Sequence, residues 1–226
     1  MSNTKHTFHA TALAAVNEAL VTLGQDTTLS ELATDSTVPE ARKAAYVYDG
    51  SRLKVLRDHG WNFAKREHVT GGCLATCAAH GGSDRLPFLT PVPPRCVRIL
   101  GCLAEGSPAP CEWELFGADV RSSAPVGRVV YVYDVEDLDR WSPDAYRALI
   151  LRLAADLAKP ITGRINERQL QEQAYAEALA QAKLADARES NVPQDPWDDN
   201  PYADAMRGRR PGGRRIPRRD IFGERV

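Results

Sequence analysis

The stretch WSPDAYRALILRLAADLAKPITG, residues 141–163, decides how this chain folds. Ser142 is a favoured helix N-cap, and Pro143 takes the first helical position, where a proline loses no hydrogen bond. Leucines then recur every four residues and place one apolar stripe on a helix: Leu149, Leu153 and Leu157. We therefore predict a helix over residues 143–159 that Pro160 ends.

Helical periodicity continues on both sides of this stretch. Residues 164–188 are rich in Ala, Gln and Glu and predict a long helix. Its small-residue face would admit a close neighbour: Leu170, Ala174, Ala178 and Ala182. Two earlier helices are predicted at residues 9–23 and at residues 38–59, the second capped by Ser36 or Thr37. Four such helices indicate a bundle.

The apolar period changes from helical to two between residues 65 and 134. Four segments are typical of strands: residues 86–90, 95–103, 111–117 and 127–135. In the last segment one face would carry Val129, Tyr131, Tyr133 and Val135. The tetrapeptide YVYD occurs twice, and its flanks predict a helix at residues 46–49 and a strand at residues 131–134.

These elements predict an α+β protein, a helical bundle of four main helices with an inserted small antiparallel β region and an extended C-terminal arm. Residues 1–64 and 142–190 would be the two halves of the bundle. Residues 65–141 would be the inserted region, and residues 191–226 the arm. Three aromatic residues beside the joints are expected to anchor the core: Trp61, Phe63 and Trp141.

Composition excludes several classes of protein. The net charge is −1 and the pI about 6.5, so the chain lacks the excess positive charge of a protein that coats nucleic acid. No apolar run approaches the roughly 18 residues of a membrane span, and the N-terminus lacks a signal-like core. We therefore expect that the protein is synthesised in a cytoplasm and does not associate with a membrane. Five cysteines cannot all pair within the chain. Because a cytoplasm is reducing, most of them are expected to be free thiols.

The sequence contains none of the common catalytic signatures. The nucleotide loops GxGxxG and GxxxxGK[ST] are missing, as are HExxH and GxSxG. The acidic residues are spread over helix surfaces, a pattern that usually means a solvated face. We therefore expect neither enzymatic activity nor a cofactor.

One cluster resembles a metal site. Cys73, Cys77 and His80 lie in GGCLATCAAHGG, and Cys96 or Cys102 could supply a fourth zinc ligand. The alternative is a glycine-flanked hairpin tip with incidental thiols. Because a second pair of closely spaced ligands is missing, the sequence favours the absence of a metal.

The C-terminal arm differs in composition from the body. Its first half is acidic and carries Trp197 and Tyr202. Seven arginines lie between residues 207 and 219 in its second half: Arg207, Arg209, Arg210, Arg214, Arg215, Arg218 and Arg219. The arm ends with an apolar group that includes Ile221 and Phe222. It could bind nucleic acid through its arginines, dock on a protein, or serve as a solvated end.

Two features of the arm favour docking on a protein. Nucleic acid does not require the apolar end around Phe222. Trp197 and Tyr202 are costly to leave exposed, and aromatic residues and arginine dominate the energetic centres of protein interfaces.

Five phrases, in order, carry a resemblance to a known family. They are VNEALVTLG, LRDHGWNFAKR, VPPRCVRILGC, the quoted stretch 141–163, and LQEQAYAEALAQAKLADARES. Together they resemble the head-to-tail adaptors of short-tailed bacteriophages, the tail tubular protein A family, over residues 9–190. Neither the loop at residues 71–84 nor the arm is matched by motif.

The resemblance implies a structural protein of the virion, made in the cytoplasm of a bacterial host and located at the head–tail junction. About a dozen copies would form a ring under the portal protein, and genomic DNA would pass through its channel. The bundle would form the ring wall, the β region would face the tail nozzle or next tail protein, and the arm would bind the portal. An alternative is a nucleic-acid-binding accessory protein that acts through Arg207–Arg219.

Overall fold

A computed structural model describes residues 11–71, 75–76, 85–107 and 109–189. Its helices are α1 (Ala12–Thr22), α2 (Pro39–Asp58), α3 (Pro143–Thr162) and α4 (Ile165–Glu189). Its strands are β1 (Lys65–Val69), β2 (Ala75–Thr76), β3 (Phe88–Pro91), β4 (Cys96–Ala104), β5 (Trp113–Phe116), β6 (Asp119–Ser122) and β7 (Val126–Tyr133). The predicted α+β class is confirmed.

All strand pairs are antiparallel, and they form two small sheets. The first sheet has the order β1-β7-β4, and the second has the order β2-β3-β6-β5. Strands β1, β2 and β6 are short, with β1 exposed along its length, so they carry no clear alternating pattern and were not predicted.

Helix α3 lies at the centre of the bundle and packs against α1, α2 and α4. Its three predicted leucines are completely buried. Burying one leucine side chain contributes about 1.5–3 kcal/mol, so this stripe is a major part of the core. The same cluster includes Val132, Val135 and Trp141, and it therefore joins the first sheet to the helices.

The beginning of α3 is as predicted, but its end is not. The Ser142 hydroxyl accepts a hydrogen bond from the Ala145 N–H at 3.4 Å. The helix continues through Pro160 to Thr162 and ends at Gly163, whose φ of +71° is readily available to glycine. A proline in the last turn removes a single hydrogen bond, whereas continuing the helix packs Ile161 against the core.

The buried face of α4 agrees with the predicted small-residue face at Ala178 and Ala182 but not at Leu170 and Ala174. Leu170 is 58% exposed, and Ala174 is half-buried. The buried row consists of Gln171, Tyr175, Ala178, Ala182 and Asp186. Its polar members can enter the interior because they have hydrogen-bond partners there.

Neither Ser36 nor Thr37 is the N-cap of α2. The cap residue is Val38, whose side chain cannot accept a hydrogen bond. The Ser36 hydroxyl instead accepts a hydrogen bond from the Val38 N–H at 3.2 Å, and this bond forms a local turn just before the helix begins.

A second, smaller core lies among the strands. It consists of Ile99, Cys102, Cys111, Val120, Val126, Val129 and Tyr131. Strand β7 ends at Tyr133, and Val135 belongs to the helical core instead of sharing the face of Val129. One further backbone contact follows the strand, because the Asp134 N–H donates to the Arg95 carbonyl at 2.9 Å.

Candidate interaction surfaces

The three predicted aromatic anchors lie together where the helices meet the first sheet. Trp61 is completely buried, and its indole N–H donates to the Val55 carbonyl at 2.9 Å. The ring centroids of Trp61 and Phe63 are 5.8 Å apart, and those of Phe63 and Trp141 are 5.3 Å apart. The Trp141 indole N–H donates to the Val135 carbonyl at 3.2 Å. These rings fill the joint and leave no open aromatic platform for a ligand.

The remaining sequence-predicted site residues lie outside the described residues. They are Cys73, Cys77 and His80 of the zinc candidate, and Trp197, Tyr202, Ile221, Phe222 and the seven arginines of the arm. Within the described ranges, no three His, Cys, Asp or Glu side chains are grouped so that they could hold a metal ion.

The three described cysteines are free thiols. Burial raises the pKa of the Cys102 thiol from its ordinary 9.0 to about 12, and it also raises the pKa of Cys96 and Cys111. The thiolate is the nucleophilic form of cysteine, so these three residues are unsuited to nucleophilic catalysis at neutral pH.

We expect stability to fall as the pH rises from 9 to 12. The unfolded chain releases the Cys102 proton near its ordinary pKa, whereas the folded chain holds it until about pH 12. Over this window the unfolded state binds fewer protons, so the free energy of unfolding decreases. Burial also raises the pKa of Tyr48 from 10.0 to about 12, which acts in the same direction. Urea unfolding at several pH values measures this decline.

Substituting Cys102 with alanine is the control for this prediction. The Cys102→Ala variant should show a shallower decline over the same pH range, because one of the groups with a raised pKa is gone. A urea midpoint that stays constant between pH 9 and pH 12 would contradict the prediction.

A buried ion pair ties α2 to the end of β7. Arg52 is 4% exposed and donates to the Asp134 carboxylate and, at 3.3 Å, to the Val135 carbonyl. Burial alone would lower the pKa of Arg52, but the hydrogen bond and charge of Asp134 outweigh it and raise this pKa. Arg52 is therefore charged at every physiological pH.

Further polar contacts join α2 to α3 and α4. The Ser51 hydroxyl donates to Asp156 of α3 at 2.7 Å, and the Tyr175 hydroxyl of α4 donates to Asp58 at 2.7 Å. Burial, followed by this hydrogen bond to Asp58, raises the pKa of Tyr175. These contacts tie α2 to both α3 and α4.

The last turn of α4 is held by Asp186, which is 5% exposed. Its carboxylate accepts from the Asn62 N–H at 3.0 Å and lies 3.0 Å from Nε2 of His59. The Asn62 side chain donates in return to the Asp186 carbonyl at 2.7 Å. The C-terminal end of the described chain is thus attached to the segment that follows α2.

An open cleft of about 460 Å³ lies between α2 and the start of β4. We call it the junction cleft, and its lining is Gly50, Leu53, Lys54, Arg57, Arg95, Cys96, Val97 and Asp134. Arg95 has a φ of +58°, and no other described residue except glycine has a positive φ. Such a conformation costs about 1–3 kcal/mol and is often found at functional sites.

The hairpin of β5 and β6 ends in an apolar tip. Leu115 is 59% exposed and Phe116 is 51% exposed, just before the turn at Gly117. The guanidinium carbon of Arg121 lies 3.4 Å from the centroid of the Phe116 ring. Because Arg121 is itself buried, this contact holds the exposed ring in one orientation, as an interface anchor requires.

The helices also expose apolar side chains. On α2, Tyr46 is 74% exposed and Leu53 is 37% exposed, seven residues apart and therefore on the same side of the helix. On α4, Leu170 and Leu184 are 58% and 62% exposed. Each pair lies along one side of its helix, as separate exposed side chains and not as a contiguous apolar patch.

The sequence alone did not lead us to the buried Arg52 of α2 or to the exposed Phe116 at the tip of the β5–β6 hairpin. Arg52 lies among Tyr48, Ser51 and Val55 on the buried face of α2, and a charge at an apolar-face position is a readable signal. The exposure of Phe116 has no such signal, because an aromatic residue in a short strand is equally consistent with a core position.

Two comparisons with known proteins gave no match. The chain matches no protein-family model, and no curated protein matches it. Among the described residues, no helix is both long and apolar enough to cross a membrane.

Proposed function

We propose that this chain is a structural protein of a short-tailed bacteriophage virion, the adaptor ring that joins the portal to the tail nozzle and forms part of the DNA channel. The observation that carries the proposal is the arrangement of the fold. Two N-terminal and two C-terminal helices form one bundle around α3, and the β region is inserted between them. A helical bundle with a separate β region is what the resemblance to the tail tubular protein A family implies.

The distribution of exposed apolar residues supports an assembly role. They occur on α2, on α4 and at the hairpin tip, so several separate surfaces are suited to protein contacts. We assign the helix surfaces to contacts between copies in the ring. We assign the tip at Leu115 and Phe116 to the next tail protein. The arm, residues 191–226, is assigned to the portal.

The charge distribution is also compatible with a channel protein. The chain has a net charge of −1, and its densest run of arginines lies in the arm. A strongly basic wall would hold passing DNA through many phosphate contacts and would impede its movement.

Removing the arm tests the proposal. A variant that ends at Ser190 should no longer bind the portal protein of the same phage, because the arm is the proposed docking element. Each arm in a ring adds a tethered binding event, so the loss should exceed about 100-fold in apparent affinity. Native mass measurement of the portal with and without the full chain reports both binding and the number of copies.

Charge variants of the arm serve as matched controls. Changing the seven arginines to lysine keeps the charge and should retain part of the binding, whereas changing them to glutamine should abolish most of it. Unchanged portal binding by the variant ending at Ser190 would refute the role of the arm.

The alternative function is nucleic-acid binding through the same arginines. It predicts that the full chain shifts DNA in a gel, with an affinity that falls steeply as salt rises, and that the variant ending at Ser190 does not. Strong, salt-sensitive DNA binding without portal binding would favour this alternative.

A further inference from the structure

We infer that the junction cleft binds the acidic, aromatic segment QDPWDDNPYAD, residues 194–204, of a second copy of this chain. The inference depends on the proposed function in one respect, because the ring is what brings two copies side by side. It divides the arm into an acidic part that binds a neighbouring copy and an arginine-rich part that binds the portal.

The rim of the cleft carries uncompensated positive charge. Lys54 pairs with Asp58, and Arg95 pairs with Glu136 at 2.6 Å. Arg57 is exposed in the last turn of α2, and no described acidic residue forms an ion pair with its side chain. The exposed Arg98 lies next to it, since its guanidinium donates to the Arg57 carbonyl at 3.4 Å.

The acidic residue that lines the cleft does not cancel this charge. Asp134 is paired with the buried Arg52, and Arg95, at 4.0 Å from it, is shared with Glu136, so Arg57 is the cation of the lining that no carboxylate of the lining pairs with. The cleft therefore presents a net positive potential to an incoming ligand, which favours an acidic partner.

The floor of the cleft is apolar and sterically open. Leu53 is 37% exposed, and Val97 lines the cleft beside it. Gly50 has no side chain, and the space in front of it is empty to a distance of 4 Å. A volume of about 460 Å³ falls within the range of about 300–1,000 Å³ that is typical of ligand pockets, so one aromatic side chain fits easily.

Residues 194–204 complement both properties. The segment contains four acidic residues and no basic residue: Asp195, Asp198, Asp199 and Asp204. It also contains Trp197 and Tyr202, which can pack on an apolar floor while the flanking carboxylates meet the cationic rim. The net charge of the two surfaces is opposite, and the aromatic residues supply the kind of anchor that dominates interfaces.

A peptide-binding experiment tests the inference with the full-length protein. The probe is a fluorescently labelled peptide of residues 192–206, titrated into the protein and followed by fluorescence anisotropy. We expect saturable binding that weakens with salt, and a loss of about tenfold or more in the Arg57→Glu variant. The matched control is Arg128→Glu, which changes an exposed arginine of β7 that does not line the cleft and should leave binding unchanged.

Exchanging the charges of peptide and protein provides a second test. A peptide with Asp198→Lys and Asp199→Lys should not bind the natural protein but should regain binding to Arg57→Glu. Circular dichroism of both protein variants establishes that they are folded. Restored binding would identify a contact between Arg57 and these aspartates. A general loss of positive charge on the protein would not restore binding.

Two results would overturn the inference. One is the absence of saturable peptide binding, and the other is equal binding by Arg57→Glu and Arg128→Glu. A short DNA duplex that binds through Arg57 while the peptide does not would assign the cleft to nucleic acid instead. The portal is absent from this experiment, so its failure is distinct from a failure of the portal-binding test.

Discussion

Replacing Arg52 with alanine is expected to lower the free energy of unfolding by about 3–5 kcal/mol, the usual effect of removing one partner of a buried ion pair. Arg52 is 4% exposed, and its removal leaves Asp134 without its principal partner. The hydrogen bond to the Val135 carbonyl is lost as well. Urea unfolding followed by circular dichroism measures the change.

Arg128→Ala is the matched control for Arg52→Ala. Arg128 pairs with Glu67 at 3.4 Å, but both side chains are about half exposed, so we expect a loss of no more than about 1 kcal/mol. Replacing both members of the buried pair, with Arg52→Met and Asp134→Leu, should recover much of the lost stability. If Arg52→Ala behaves like Arg128→Ala, the ion pair is not a major structural tie.

Replacing Trp61 with alanine should have a similar effect, about 3–5 kcal/mol, because it leaves a large cavity in the core. Trp61 is 0% exposed, stacks on Phe63 and donates its indole N–H to Val55. The substitution also removes the stacking contact with Phe63 and the edge contact with His59. Thermal unfolding and urea unfolding should both show the loss.

Tyr46→Ala is the corresponding surface control, because Tyr46 is 74% exposed. We expect it to change stability by no more than about 0.5 kcal/mol. Trp61→Phe should lie between the two, since it keeps most of the apolar contact and loses the hydrogen bond to the Val55 carbonyl. A loss at Trp61 as small as that at Tyr46 would show that the aromatic joint contributes little.

The helices could be predicted because local and long-range forces agree there. The leucine stripe of α3 faces the core, and Ser142 caps the helix as its position suggests. The two copies of YVYD also adopt different structures, as their flanks predict. Tyr46–Asp49 lie within α2, while Tyr131–Tyr133 end β7.

The burial of Asp186 could not be predicted because it depends on partners that are distant in sequence. Asp186 lies on the inner face of α4 only because His59 and Asn62 meet it there. Local hydrophobicity favoured Leu170 as the inner residue of α4, and that prediction was wrong. For the same reason the junction cleft has no signature in sequence, since α2 and β4 form it together.

The candidate site was predicted in part. Trp61 and Trp141, which were expected to anchor the core, are buried, and the ring of Phe63 lies between theirs, a grouping that the sequence did not predict. The arm and the Cys73–His80 segment lie outside the described residues, so their assigned roles remain predictions. The exposed ring of Phe116 was not predicted, because only the folded hairpin reveals which side of a short strand faces solvent.

The central position of α3 has a consequence for synthesis on the ribosome. Helices α1 and α2 are synthesised first. Their packing partner, α3, follows roughly a hundred residues later, after the β region has been translated. Strands β1 to β7 pair among themselves, and the second, smaller core lies within them. We therefore expect the β region to fold while the polypeptide is still being made. The apolar faces of α1 and α2 should stay exposed to solvent until α3 has left the ribosomal exit tunnel. That interval is when the nascent chain is most prone to aggregate or to require a chaperone.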